Sequence, residues 1–141
     1  MMIKRLSLIM TLSIYVLMLL GSYTSASGSG LACPDWPLCP IDFTNRFIII
    51  EFIHRMWAII TFTITILTIL LIIKNHYIPQ KIKKGTIILF IVFIIQIFWG
   101  AVAIFQRLNP LIVATHQGLA ALIFALAVYV TTLLHANTNQ N

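Results

Sequence analysis

Residues 47–73, which read FIIIEFIHRMWAIITFTITILTILLII, indicate the fold of this chain most directly. This stretch is longer than the roughly 20 predominantly apolar residues that an α-helix needs to cross a bilayer. Its apolar residues do not alternate with polar ones as they do in barrel strands. The small and polar residues recur at intervals of three and four, at Glu51, His54, Ala58, Thr61, Thr65 and Thr68. This spacing places them along one side of a helix, so the stretch predicts a transmembrane helix with one packed face.

Three further apolar stretches have the length and composition of membrane spans, at residues 6–23, 85–105 and 111–134. The chain has 141 residues, of which 60% are hydrophobic and 9% are charged. A typical soluble domain has about 25% charged residues, so the composition excludes that class. The sequence therefore predicts an all-α integral membrane protein, in which residues 1–141 form a single antiparallel four-helix domain in the lipid bilayer.

The basic residues of the short loops predict how the helices are oriented. They precede the first span or lie between the second and third spans, at Lys4, Arg5, Lys74, Lys81, Lys83 and Lys84. Under the positive-inside rule these segments are cytoplasmic, so we expect a multi-pass plasma membrane protein with both termini inside. The net charge of +6 does not predict nucleic-acid binding, because the basic residues sit at span ends and form no soluble basic patch.

The first span allows a second interpretation. Two basic residues, an apolar run and the sequence GSYTSAS at 21–27 resemble a secretory signal with a small-residue cleavage site. Cleavage would remove one helix and leave three spans with the C-terminus inside. We expect the span to be retained.

Two histidines lie on packed faces of their spans at similar depth. At 1.5 Å per residue, His54 is roughly 10 Å and His116 roughly 7 Å from the outer ends of their spans. Two neutral imidazoles at one level can ligate a haem iron from both sides. Hydrogen bonding between helices is the alternative role for each. His76 and His135 are at the cytoplasmic side, and we expect them to be solvent-exposed or interfacial.

Three charged residues accompany the histidines. Glu51 is one turn outward from His54 on the same face, where a carboxylate can orient the imidazole or act as an acid or base. The alternative, which the residues alone favour, is an i,i+4 ion pair with Arg55 that anchors the helix end. Arg55 and Arg107 can pair with haem propionates, or can serve as interfacial anchors.

The outer loop between the first two spans contains Cys33 and Cys39, with Pro34, Pro37 and Pro40 close by. The outer side of a plasma membrane is oxidising, so a disulfide can persist there. We therefore predict a structural disulfide that closes a stiff loop. A redox-active cysteine pair is the alternative.

Three motifs resemble those of the haem A synthase family. The sequence GSGLACPDWPLC at 28–39 is similar to the first outer loop of that family. The sequence EFIHR at 51–55 is similar to its second-helix motif, and ATHQG at 114–118 to the segment with the fourth-helix histidine. These motifs extend across most of the chain.

The resemblance implies an enzyme that oxidises a ring methyl group of haem O to the formyl group of haem A. It implies that His54 and His116 are the ligands of the haem iron and that Glu51 is catalytic. It also implies that Cys33 and Cys39 form the disulfide of the outer loop. The bound haem would be haem O as substrate, haem b as cofactor, or both.

The resemblance has one clear departure. Usual members of the family have eight spans in two similar halves, each with a histidine pair, whereas this chain has one half and looks like the substrate half. A bis-histidine iron has no open position for oxygen. We therefore expect a homo-oligomer, with haem O synthase or terminal oxidase assembly as further partners. The alternatives are a non-catalytic b-type haem protein (an electron carrier or haem chaperone) and a four-helix thiol–quinone oxidoreductase.

Overall fold

Four long α-helices make up the computed structural model, which describes residues 2–33, 35–37, 39 and 44–137. The helices are α1 (Met2–Ala26), α2 (Arg46–Lys74), α3 (Gln80–Phe105) and α4 (Pro110–Ala136). The described residues contain no β-strand. Each helix is long and apolar enough to cross a membrane. The expected all-α, four-helix architecture is therefore confirmed.

The predicted spans all fall inside these helices, but the helices extend beyond them. The largest difference is in α3, which begins at Gln80 rather than at residue 85. Its first turns contain three lysines, which end the apolar stretch without ending the helix. Helical hydrogen bonding continues past the apolar region because it depends on the backbone and not on hydropathy.

Asparagine side chains cap the two helices that carry His54 and His116. Asn45 accepts a hydrogen bond from the N–H of Phe47 at 3.0 Å. Asn109 accepts one from the N–H of Leu111 at 3.0 Å, and Pro110 follows it at the first helical position. Asparagine and proline at these positions satisfy or remove backbone donors that have no partner in the helix. The caps thus fix where α2 and α4 start, and with that the height of each histidine.

The packed face predicted for α2 is mostly buried in the structure. Thr61, Thr65 and Thr68 are fully buried and Glu51 is nearly so, whereas His54 and Ala58 of the same face are half-buried. Thr61 shares a hydrogen bond of 2.7 Å with Ser13 of α1, hydroxyl to hydroxyl. Such contacts between small polar residues are typical of helix packing within membranes. The threonines of α2 are therefore packing residues, as the spacing predicted.

An apolar core lies on one side of these polar contacts, between α1, α3 and α4. Its buried members are Met10, Ile14, Leu89, Phe93, Ile123 and Ala127. Helix α1 packs closely against α2 and α4, and α3 packs closely against α4, while α2 and α3 touch less extensively. This packing leaves space inside the bundle next to His54 and His116.

Candidate functional site

A cavity of about 330 Å³ lies inside the bundle and is lined by residues of all four helices. Ligand-binding cavities commonly have volumes of roughly 300–1,000 Å³. Most of the lining is apolar. The polar and charged residues among it include Thr24, Ser25, Glu51, His54, Arg55, Gln96, His116 and Gln117. The structure thus brings Glu51, both predicted histidine ligands and Arg55 to one site.

His54 of α2 rests against the backbone of Gly21 in α1. A Cβ added at Gly21 would lie 3.1 Å from Cε1 of His54 and 3.7 Å from each ring nitrogen. The Nδ1 atom of His54 is buried and has no hydrogen-bond partner among the described residues. Buried polar atoms without a partner are rare and call for a specific explanation.

His116 of α4 packs in the same way against the backbone of Gly100 in α3. A Cβ added at Gly100 would lie 3.1 Å from Cε1 of His116. Its Nδ1 atom is also buried without a partner in the described part of the chain. Unlike His54, its ring is held by a side chain as well, because Nε2 of Gln96 lies 3.3 Å from Nε2 of His116.

Glu51 and Arg55 form an ion pair in the N-terminal part of α2. Nη2 of Arg55 donates to Oε1 of Glu51 at 2.6 Å, and the backbone N–H of Cys33 donates to Oε2 of Glu51 at 2.7 Å. The side chains of Arg55 and Glu51 are 14% and 4% exposed, so the pair is largely withdrawn from water. The i,i+4 pair that the residues alone favoured is present, and Glu51 also lines the cavity.

Arg55 connects this ion pair to the loop between α1 and α2. Its guanidinium donates to the carbonyls of Cys33 at 2.7 Å, Asp35 at 2.5 Å and Pro37 at 3.4 Å. Cys33 and Cys39 form a disulfide in the same loop, as predicted. The loop residues Trp36 and Pro37 line the cavity. The Glu51–Arg55 pair therefore holds the disulfide-closed loop against one end of the cavity.

Arg107, the second predicted propionate partner, is placed differently. It is exposed in the turn between α3 and α4 and does not line the cavity, whereas its neighbour Leu108 does. Both residues have a left-handed backbone, with φ of 48° and 58°. His76 and His135 are exposed and also lie outside the cavity lining.

Three features of the site were not predicted from the sequence as parts of it. These are the glycines beside the two histidines and the amide of Gln96. Gln96 and Gly100 lie in the apolar stretch 85–105 with no motif to mark them, and Gly21 is the first residue of the signal-like segment at 21–27. A glycine inside a span was the available signal for such a contact, since it lets another side chain approach the helix backbone closely. Which side chain does so depends on which helices are neighbours.

Known proteins resemble this chain along most of its length. Residues 40–141 match the COX15-CtaA family, which is described as cytochrome oxidase assembly protein. The haem A synthase of Bacillus mycoides (strain KBAB4) is 29% identical over 137 residues, which cover 94% of this chain and 44% of that protein. The haem A synthase of Staphylococcus aureus (strain MSSA476) is 28% identical over 134 residues, with the same two coverages.

The chain thus spans less than half the length of the curated relatives it matches. The resemblance to haem A synthases that the three motifs carry is confirmed by these matches. The family match takes in more than half of the chain, and the four helices have the length and composition of membrane spans. The chain is therefore a multi-pass membrane protein that belongs to the COX15-CtaA family of cytochrome oxidase assembly proteins.

Proposed function

We propose that this chain is a haem A synthase-like membrane oxidoreductase, which oxidises the ring methyl group of haem O to the formyl group of haem A. The observation that carries the proposal is that His54 of α2 and His116 of α4 line one apolar cavity. The relatives named haem A synthase favour an enzyme over the alternative, a non-catalytic electron carrier or haem chaperone.

The residues of the cavity fit a haem. A porphyrin supplies four donors of its own, so two imidazoles complete the coordination of its iron. The described residues contain no group of three or more histidine, cysteine or acidic side chains that suits a bare metal ion. Both histidines line the cavity and have a glycine backbone beside the ring. When bound, the haem supplies a redox-active iron, and His54 and His116 hold it.

We assign the catalytic carboxylate to Glu51. Its oxygens accept hydrogen bonds from Arg55 and from the N–H of Cys33, beside the cavity. A proton taken up at either oxygen would weaken the attraction to the Arg55 guanidinium. Proton transfer at Glu51 would therefore be coupled to the position of the outer loop, which Arg55 holds.

Arg55 is the residue that we assign to the haem propionates, because it is the cationic side chain of the cavity lining. Arginine binds carboxylates well through its forked donors. Arg107 is exposed in the turn after α3. It can take part only if the propionates extend out of the cavity towards that turn.

For the membrane topology, we propose a single antiparallel four-helix domain at residues 1–141, with both termini cytoplasmic. Contacts that join the early part of one helix to the late part of its neighbour support it. Thr11 and Thr131 share a hydrogen bond of 2.9 Å, and Gly21 lies against His54. The histidines and the disulfide would then be on the outer side of the plasma membrane, where a disulfide persists.

The proposal includes a second copy of the chain. A homo-oligomer would provide two four-helix units, and with them two haem sites, where the relatives have more than twice this length of chain. Haem O synthase, which would supply the substrate, and terminal oxidase assembly, which would use the product, are the further partners that we propose.

Haem analysis tests the function. The full chain is expressed with a haem O synthase in cells that lack their own haem A synthase, and the extracted haems are separated by chromatography. We expect haem A or its hydroxylated precursor with the wild-type chain and neither with His54→Ala or His116→Ala. His76→Ala is the matched control, because His76 is exposed and lies outside the cavity lining. Bound but unmodified haem with the wild-type chain would favour the carrier instead.

A further inference from the structure

The ring of His116 is engaged by a neutral amide inside the cavity. Nε2 of Gln96 lies 3.3 Å from Nε2 of His116. An amide nitrogen can only donate, so the ring nitrogen accepts through its lone pair. A histidine that ligates iron through Nε2 uses the same lone pair. The amide of Gln96 and an iron atom therefore cannot both occupy Nε2 of His116.

The second histidine of the cavity has no such partner. Nδ1 of His54 is buried without a hydrogen bond, and none to its ring is found in the part of the chain that the structure describes. Each ring packs against a glycine, Gly21 for His54 and Gly100 for His116. A Cβ added to either glycine would lie 3.1 Å from Cε1 of the ring. The two histidines thus have similar steric surroundings, and the difference between them is the side chain of Gln96.

Helix α3 supplies two contacts that can hold the ring of His116 when it is not bound to a ligand. Gln96 and Gly100 are separated by one turn and lie on the same face of α3. One contributes the hydrogen bond and the other the flat backbone surface. The other polar atom of the amide, Oε1 of Gln96, is buried without a partner among the described residues. A buried acceptor without a partner costs about 1–3 kcal/mol, so the position of this amide is not favoured by its own hydrogen bonding.

We propose that Gln96 is a positioning residue that competes with iron for Nε2 of His116, so that His116 is the exchangeable ligand and His54 the permanent one. In the exchange, the bond between iron and Nε2 breaks and the hydrogen bond from Gln96 to Nε2 forms. No electron or proton is transferred. The inference rests on the proposed function, since it needs a haem between His54 and His116. It supplies the open iron position that a bis-histidine site lacks.

Removal of the amide should raise the affinity for haem and lower the rate at which an external ligand binds to the iron. Without Gln96, the detached ring of His116 loses its partner, so the ring stays on the iron for more of the time. Haem then binds more tightly, and an external ligand of the iron binds more slowly. A merely structural role for Gln96 predicts instead that the ring is misplaced and that haem binds more weakly. The sign of the change in affinity therefore separates the two roles.

The experiment uses the full chain in lipid nanodiscs, with haem b as the probe. Haem titration gives the dissociation constant, and carbon monoxide mixing gives the rate of ligand binding to the ferrous form. For Gln96→Leu we expect tighter haem binding and slower carbon monoxide binding, each by roughly two- to tenfold, the usual effect of one hydrogen bond. Gln106→Leu is the matched control and should change neither, because Gln106 is exposed and lies outside the cavity lining.

Gln96→Met is measured beside Gln96→Leu, because its unbranched side chain keeps the shape of glutamine and shows whether a packing defect is responsible. Weaker haem binding in both variants, or unchanged carbon monoxide kinetics, would overturn the inference and leave the proposed function standing. Haem binding that survives in a His54→Ala, His116→Ala double variant would overturn the proposed function itself. The histidine variants thus report on the site, and the glutamine variants on the exchange.

Discussion

Gly21 of α1 and His54 of α2 are in contact so close that a methyl group on Gly21 would lie 3.1 Å from Cε1 of the imidazole. Gly100 of α3 and His116 of α4 repeat this relationship at the same distance. In each case a flat ring packs on a helix backbone that has no side chain at that point. Each histidine of the cavity is therefore positioned by a neighbouring helix.

Gly21→Ala should displace His54. A contact of 3.1 Å is shorter than ordinary packing, and overpacking of this kind costs about 1–3 kcal/mol. We expect the affinity for haem b in nanodiscs to fall roughly tenfold. Gly118→Ala is the control, because an added Cβ there has nothing within 4 Å. Equal affinities for the Gly21 and Gly118 variants would show that the close contact does not position His54.

Arg55→Leu should release the outer loop. Arg55 donates to Glu51 and to the carbonyls of Cys33 and Asp35, and its loss leaves a buried carboxylate without a cation. Breaking a buried ion pair typically costs about 3–5 kcal/mol. We expect faster hydrogen exchange at the backbone N–H of Cys33 and a lower free energy of unfolding.

The control for this variant is Arg46→Leu. Arg46 is exposed and lies 4.8 Å above the centre of the Phe47 ring, a contact worth about 0.5–1 kcal/mol at exposed sites. An equal loss of stability in the two arginine variants would contradict the structural role assigned to Arg55.

Glu51→Gln separates binding from turnover. The amide keeps the size of the side chain and can still accept from the N–H of Cys33 through one oxygen, but it removes the charge that faces Arg55. We expect haem content near that of the wild-type chain and haem A formation lowered at least tenfold, in line with the usual contribution of an acid–base group of about 10²–10⁴. Extracted haems are quantified for both. Full formation of haem A would restrict Glu51 to holding the loop.

The hydroxyl pair of Ser13 and Thr61 should stabilise the contact between α1 and α2. The two oxygens are 2.7 Å apart, and the indole N–H of Trp57 donates to the carbonyl of Ser13 at 3.1 Å. Side-chain hydrogen bonds inside membrane proteins average about 0.6 kcal/mol. A double-mutant cycle with Ser13→Ala and Thr61→Ala, followed by unfolding in lipid, should give a coupling energy of this size. A coupling energy of zero would show that only packing holds this interface.

Single cysteines at the two ends of α3 test the topology. Tyr77→Cys, at a site that is 94% exposed, should react with a membrane-impermeant maleimide only after the cells are opened. Gln106→Cys, at the exposed turn before α4, should react in intact cells. The wild-type chain is the blank, because its two cysteines form a disulfide. Labelling of Tyr77→Cys in intact cells would reverse the proposed orientation.

The helices of this protein could be predicted from sequence because a bilayer restricts the backbone strongly. A span must satisfy its own peptide groups, so long apolar stretches such as residues 47–73 have little choice but to be helical. The ends were harder to predict. Helix α3 starts at Gln80, ahead of the predicted start, because lysines leave the apolar region without breaking the hydrogen-bond pattern of the helix.

Some residues of the candidate site could be predicted from sequence, whereas the contacts between its helices could not. Spacing along one span and similar depth across two spans select His54 and His116, since helical periodicity fixes which face a residue occupies. For Glu51, the residues alone favour the ion pair with Arg55, and only the resemblance to haem A synthases implies a catalytic role. Three other features could not be selected in this way. They are the packing of each histidine on a glycine, the hydrogen bond from Gln96, and the hydrogen bonds from Arg55 to the loop between α1 and α2. Each of them is a contact between segments far apart in the chain.

Local periodicity and apolar length were enough to predict that this chain forms membrane-length helices and that two of them carry histidines at similar depth. The packing of the helices, in contrast, was needed to show that His116 and not His54 contacts an amide, and that Arg55 and not Arg107 lines the cavity. Such contacts depend on which helices are neighbours and how each is rotated about its axis. Packing between small residues sets both, and no single helix encodes them.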